Sequence, residues 1–340
     1  MRNHSKALLW SAAGASLLLL ARSQSMRQYD LRGKSVLITG GSRGLGLLLA
    51  RHAAAEGARV AICARDEEDL KAAESELAAS GAEVFSFACD LTDRTQAEQM
   101  ITGVIERFGQ VDMLINNAGM ISVGPLEEMT IEDFKAAMDI NFWASVYTTF
   151  AVLPEMRKRK AGRIVNISSI GGKVAAPHLL PYSASKFALI GFSRGLRSEV
   201  MKDGIVVTTV APGLMRTGSP RNADFKGKHR AEYAWFSIAD SLPLASVDAD
   251  AAAQQILAAA KRGEVEFVVG MPARLACLAD AIFPEFTGGL LAAANRLLPA
   301  PGGIGKEAAK GKESESAASP SVLTTLTDKA AVRNNQTNDG

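Results

Sequence analysis

Cysteine is scarce, with only Cys63, Cys89 and Cys277 among 340 residues. They form no C-x-x-C pair, and the first two sit in or at the end of apolar, strand-like runs. A disulfide framework or a cysteine-ligated zinc site is therefore not expected, and a reducing compartment fits. Histidine is nearly as rare: His4, His52, His178 and His229 are too scattered for a local ligand cluster, so no metal is expected. Charge of one sign is missing as well. With 38 Lys and Arg against 36 Asp and Glu the net charge is +2, without the basic excess that marks a nucleic-acid partner.

A long hydrophobic run is absent too. "ALLWSAAGASLLLLA", Ala7 to Ala21, is uncharged over 15 residues. As a helix it would reach only ~22 Å at 1.5 Å per residue, short of a ~30 Å hydrocarbon core. It reads as the apolar part of a signal peptide, a short anchor or a helix lying at a membrane interface; a buried capping helix is the plainer alternative. Arg22 spoils a small-residue cleavage site. Arg22, Arg27, Arg32 and Lys34 would keep the downstream body on the cytoplasmic side of the membrane. A plain cytoplasmic location is the alternative.

What the chain does have is ordinary globular material, 47% hydrophobic and 22% charged, enough for a sizeable core. Four zones follow from composition: an apolar segment over 1–30, a body over 31–270, an apolar extension over 271–300, and a polar tail over 301–340 expected to be disordered. In the extension, Leu275, Leu278, Ile282 and Phe286 recur at helical spacing, with Pro284 and Gly288–Gly289 as expected breaks. Such a stripe docks on the body or on a second subunit, or else contacts a membrane or covers an apolar substrate.

The body alternates. Apolar runs at 35–39, 59–63, 84–88, 111–116, 163–168, 205–210 and 265–269 are separated by helix-period segments such as 66–80. Continuous apolar strands between helices predict an α/β, Rossmann-like, doubly wound parallel sheet of about seven strands, with helices on both faces. Ligands on such a sheet bind at the carboxyl ends of the strands.

"TGGSRGLG", Thr39 to Gly46, stands between the first strand and the first helix. Gly40, Gly44 and Gly46 there permit a tight turn and close approach of a pyrophosphate to the helix N-terminus. The second strand ends "AICARD", so Ala64 and Arg65 stand where an acid would hold a ribose hydroxyl. Arg65 and Arg43 would instead meet a 2′-phosphate, which favours NADP(H) over NAD(H). A register one residue different would make Asp66 that acid. Further on, Tyr182 and Lys186 in "YSASK" share a helix face, where a lysine cation lowers a phenol's pKa toward useful acid–base work. Ser169, at the carboxyl end of a strand, is placed to hold a carbonyl oxygen or donate to a developing alkoxide.

Taken as a set, Thr39-Gly40-x-x-x-Gly44-x-Gly46, Asp90 in "CDL", Asn116-Asn117-Ala118-Gly119, Ser169, Tyr182-x-x-x-Lys186 and Pro212-Gly213 resemble the short-chain dehydrogenase/reductase family over about 240 residues. The resemblance implies hydride transfer between a nicotinamide and a carbonyl or alcohol. Tyr182 would be the general acid/base, with Ser169 orienting the substrate oxygen. Lys186 would lower the tyrosine pKa and bind the nicotinamide ribose, and Asn141 would hold a relay water. It also implies a cofactor surface made by Gly40, Ser42, Arg43, Gly44, Leu45 and Gly46, by Asp90 and Leu91 at the adenine, and by Asn117, Ala118 and Gly119. Tyr182, Lys186, Pro212, Gly213 and Thr217 would complete it, with Thr217 near the carboxamide.

The substrate is expected to be a small carbonyl or alcohol compound of apolar, lipid-like character: long-chain acyl, sterol or retinoid. Tyr233, Trp235, Phe236 and Ile238 are candidate pocket walls, and His178 is either a site residue or a surface one. A reductase of small ketones or sugars is the runner-up, and a non-catalytic NADP-binding protein the third reading. A membrane surface and a second copy of the chain are the candidate macromolecular contacts.

Overall fold

The computed structural model describes residues 29–243, 245–316, 319–321 and 324–337. The apolar stretch 7–21 lies outside them. Seven strands form one sheet: β1 (Ser35–Thr39), β2 (Arg59–Ala64), β3 (Val84–Ala88), β4 (Met113–Asn116), β5 (Gly162–Ile167), β6 (Ile205–Pro212) and β7 (Glu266–Val269), in the order β7-β6-β5-β4-β1-β2-β3. Every pairing is parallel, for instance Leu37 beside Ala61 on one side and Leu114 on the other. Parallel neighbours need crossover helices, and these cover both faces. The expected doubly wound α/β sheet is the one observed, each strand within two residues of its anticipated ends.

Helices α1 (Gly44–Ala55), α2 (Glu67–Ala79) and α8 (Ala249–Arg262) cover one face, packing Leu47, Leu48, Leu70 and Ile256 against Val36, Ile38 and Ile62. On the other face α3 (Arg94–Phe108), α5 (Ala144–Arg159) and α6 (Leu180–Val200) bury Met100, Val104, Val152 and Leu196 against Leu37, Leu114 and Val207. The side chains of Asp66, Asp93 and Asp248 cap α2, α3 and α8, each accepting two main-chain N–H bonds. The start of α1 has no side-chain cap. Strand order turns back between β1 and β4, so the ends of these two strands frame the crevice where ligands of such sheets bind.

Beyond the sheet, α4 (Ile131–Met138) precedes α5, and α7 (His229–Ser241) closes over a small sheet made by 122–123, 224–225 and 309–310. Tyr233 and Phe236 are buried there, edge-on to Phe225 at ring-centre distances of 5.3 and 6.0 Å. Expected as pocket walls, both are core residues of this lobe. Trp235 is half-buried, its Nε1–H donating to Glu232.

The apolar extension forms two helices, α9 (Met271–Ile282) and α10 (Pro284–Asn295), bent by 119° at Phe283–Pro284. Proline ends the first helix, whereas Gly288–Gly289 lies inside the second without breaking it. The stripe does not dock on the body: Leu275, Leu278, Ile282, Phe283, Phe286 and Leu290 are all exposed. The last zone differs from expectation as well. Its described residues add a strand at Ala309–Lys310 and a helix, α11 (Thr325–Arg333), both packed on the body. Ala330 and Ala331 are buried, so a polar tail is ordered here by tertiary contact where its composition alone predicts disorder.

Candidate active site

Tyr182 stands in the first turn of α6, and Ser169 is in extended conformation two residues past the end of β5. Between them Gly171 leaves room, since a methyl group there would meet Tyr182 Cε1 at 3.3 Å and Ser169 Oγ at 3.5 Å. The Gly171 N–H donates to Ser169 Oγ at 3.0 Å, which fixes the serine. Burial pushes the Tyr182 phenol above its ordinary pKa, and a hydrogen bond with Ser169 opposes that shift.

Lys186 is buried one turn along. Its Nζ donates to the Ile167 carbonyl at 3.0 Å and lies 5.8 Å from the centre of the Tyr182 ring. The i, i+4 spacing thus puts both groups on one helix face without direct contact. Desolvation lowers the lysine to about 8. Asn141 reaches the same place from a π-turn, Asp139–Trp143, inserted between α4 and α5; such bulges often mark functional positions. Fully buried, it accepts from Met120 N at 2.9 Å and donates to Met120 O and Ser185 Oγ at 3.1 and 3.0 Å. Gly119 is the hub, because a methyl group on it would lie 2.6 Å from Asn141 Oδ1 and 3.4 Å from Lys186 Nζ.

Beneath these residues runs a buried polar chain. Asn116 donates to Asn166 at 2.9 Å, Asn166 to Ser193 at 3.0 Å, and Thr209 to Ser193 at 2.7 Å. It ties the ends of β4, β5 and β6 to α6. Satisfied networks of this kind rigidify what they join.

At the other end of the crevice the glycine turn is closely packed. A methyl group on Gly46 would come within 2.0 Å of the Gly40 carbonyl, and one on Gly40 within 3.0 Å of Ala118 Cα. Thr39 Oγ1 accepts from Asn117 N and Ala118 N, and Asn117 Nδ2 donates back to the Thr39 and Gly40 carbonyls. The start of α1 has no side-chain cap, and its Gly44 N–H donates to the Asn334 carbonyl at 2.8 Å. This cradle fits a phosphate. Asp90 turns its carboxylate onto Thr92, and Leu91 is buried beside it. Gly213 N bonds Val269 O just after Pro212, and Thr217 is buried nearby. Arg65 is exposed just past β2, while Arg43 is turned toward Asp69 at 3.5 Å and Asn222 at 3.3 Å.

The family model for short chain dehydrogenases matches residues 34–226. The chain belongs to that family. Among curated relatives, a putative ketoacyl reductase of Streptomyces coelicolor is 40% identical over 183 residues, 53% of this chain and 70% of its own length. Dehydrogenase/reductase SDR family member 7B of Bos taurus is 35% identical over 263 residues, 76% of this chain and 79% of its own. A solved structure of a variant actinorhodin polyketide ketoreductase with NADPH is 32% identical with TM-score 0.63, covering 70% of this chain and 95% of that one. This short-chain dehydrogenase is thus an oxidoreductase of ketone or alcohol groups, from a family that uses a nicotinamide cofactor.

Three features of the dehydrogenase site escape sequence reasoning. Ser185, inside "YSASK", joins Asn141 to the Tyr182 carbonyl, and its position three residues after the tyrosine was the available signal. His178, a site or surface candidate, is not at the surface: it is buried just before α6 against Glu232 at 2.9 Å, a partner that no spacing signals. The third is the tail at the glycine turn, for which no local signal exists.

Proposed function

We propose that the chain is an NADP(H)-dependent oxidoreductase of an apolar, lipid-like carbonyl or alcohol, with residues 31–270 as its catalytic domain. The observation that carries this is the convergence of Asn141, Ser169, Tyr182 and Lys186 around Gly119 and Gly171. When bound, the nicotinamide supplies or accepts the hydride. In the reducing direction Tyr182, protonated at neutral pH because its pKa is raised, gives its proton to the developing alkoxide while Ser169 donates a hydrogen bond to the same oxygen. Lys186, titrating at about 8, is matched to returning that proton near neutral pH. Asn141 holds the main chain of Met120 beside it, where a relay water belongs.

The choice of NADP over NAD rests on the end of β2. The Asp66 carboxylate accepts from Glu68 N and Asp69 N through Oδ1 as the cap of α2, which favours a capping role over that of a ribose acceptor. That leaves Arg65 at the ribose end, and a solved neighbour was determined with NADPH. The lipid-like substrate is supported by the ketoacyl reductase among the relatives and by the exposed apolar faces of α9 and α10. No single helix among the described residues is long and apolar enough to cross a membrane. We place the bent α9–α10 pair at a membrane surface, on the cytoplasmic side, with Phe286 and Leu290 entering the interface. Flotation of the protein with anionic vesicles should be lost in Phe286→Asp/Leu290→Asp; undiminished flotation would exclude this face.

The deciding experiment is NADPH consumption in detergent across carbonyls of increasing apolar length, with Tyr182→Phe as control. Turnover should depend on Tyr182 and rise with chain length. Activity confined to small ketones would favour the small-carbonyl reading, and turnover retained in Tyr182→Phe would sink the mechanism.

A further inference from the structure

The C-terminal segment lies on the phosphate end of the crevice. From the strand at Ala309–Lys310 the chain returns through α11, which rests on α7 and β6's outgoing loop. Thr327 Oγ1 donates to Asp240 at 3.2 Å, and Ala331 sits so close to Gly218 that a methyl group on the glycine would meet its Cα at 2.3 Å. After α11 three amide residues follow the groove. The carbonyl of Asn334 accepts from Gly44 N at 2.8 Å, and its Nδ2 donates to Thr217 O at 3.2 Å. Asn335 Nδ2 donates to the Ser42 carbonyl at 3.1 Å. Gln336 is held by Asn222 and lies 2.5 Å from where a methyl group on Gly44 would sit.

Ser42, Gly44 and Thr217 are three of the residues assigned above to the cofactor surface. An unpaired helix N-terminus is an anion site, and here one of its N–H groups is satisfied by a main-chain oxygen of the same chain. We propose that residues 325–336 are a built-in competitor of the dinucleotide: tail docking and cofactor binding exclude each other, so the docked form is autoinhibited. The inference rests on the cofactor reading given under Proposed function. It follows physically from the quality of the two ligands. The neutral Asn334 carbonyl makes a modest bond to the Gly44 N–H, whereas a pyrophosphate oxygen would accept a charge-assisted one from the same N–H; the amide bonds to the Ser42 and Thr217 carbonyls are made by the tail alone. The tail is therefore strong enough to occupy the cradle as a tethered ligand and weak enough to leave it.

Hydrogen exchange of the full-length protein, with and without saturating NADPH, tests this directly. The amides of Asn334 and Gln336, bonded to Ala330 O and Ala331 O, report on the tail. They should exchange faster once NADPH is bound. Ala331→Glu, which cannot fit against Gly218, should bind NADPH about tenfold more tightly by fluorescence titration if the open form is about a tenth of the population. A chain ending at 317 should do the same. Unchanged or slower exchange on NADPH binding, with equal affinity in Ala331→Glu, overturns the exclusion and makes the tail a bystander or part of the cofactor site. If neither NADPH nor NADH binds to any of these proteins, the cofactor reading itself fails and the inference falls with it.

Discussion

The two ends of one crevice are built in different ways. At the Tyr182 end the contacts come from segments that each lie beside a strand end: Ser169 after β5, Gly119 after β4, and Tyr182, Ser185 and Lys186 on one helix. A buried polar chain through Asn116, Asn166 and Ser193 backs them. At the glycine-turn end the strand and helix supply a tight backbone but no side-chain cap, and the Gly44 N–H finds its partner at the far end of the chain. Asn335 reaches Ser42 across 293 residues of sequence. One end is satisfied by its own neighbours; at the other, an N–H of the glycine turn is met by the Asn334 carbonyl. Proton transfer needs groups fixed before the substrate arrives, whereas a site that exchanges a ligand needs a partner that can leave.

The sharpest way to break this contrast is at the Tyr182 end. Tyr182→Phe should lower kcat by about 10²–10⁴-fold, the usual range for loss of a general acid, while NADPH affinity measured by fluorescence stays unchanged. A parallel loss of NADPH affinity would mean that the two ends are not separable.

A smaller effect is expected at the cofactor end. Arg65→Ala should weaken NADPH about 10- to 100-fold, the equivalent of one lost charge-assisted hydrogen bond, and leave NADH unaffected. Equal losses for both nucleotides would remove Arg65 from the 2′-phosphate.

The smallest effect concerns how the tail is held. Asp240, beneath Thr327, is lifted to about 7 by burial, with Thr327, Arg216 and the Met215 amide pulling the other way. Its folded pKa lies above its unfolded value, so its contribution to stability is complete below the ordinary carboxylate range and is lost as pH rises through about 7. The thermal midpoint should fall from about pH 4 to about pH 7, and fall less in Asp240→Asn. An identical pH dependence in the two proteins would show that Asp240 does not titrate there.

What was legible in the sequence was local. The seven strands could be read because each is a short, mostly apolar run between helix-period segments, and in the central strands burial on both faces leaves no polar alternation to confuse the pattern. The glycine turn, "NNAG" and "YSASK" could be read because their chemistry depends on spacing within a single turn. Tyr233 and Phe236 were visible as aromatic but not as core, since only the partner Phe225 decides which way they face. The stripe on α9 and α10 was visible as a period, yet a period cannot say whether the face it makes is covered.

Sequence by itself determined the parallel sheet, the family and the residue types gathered at the strand ends, because hydrophobic period and turn chemistry act over a few residues. Only the tertiary structure decided that Lys186 bonds the Ile167 carbonyl instead of the phenol, that Tyr233 and Phe236 pack on Phe225, and that a polar tail is ordered against the glycine turn. Those outcomes depend on which groups become neighbours after folding and on which unpaired N–H or C=O groups remain to be satisfied, and no local pattern in the chain records that.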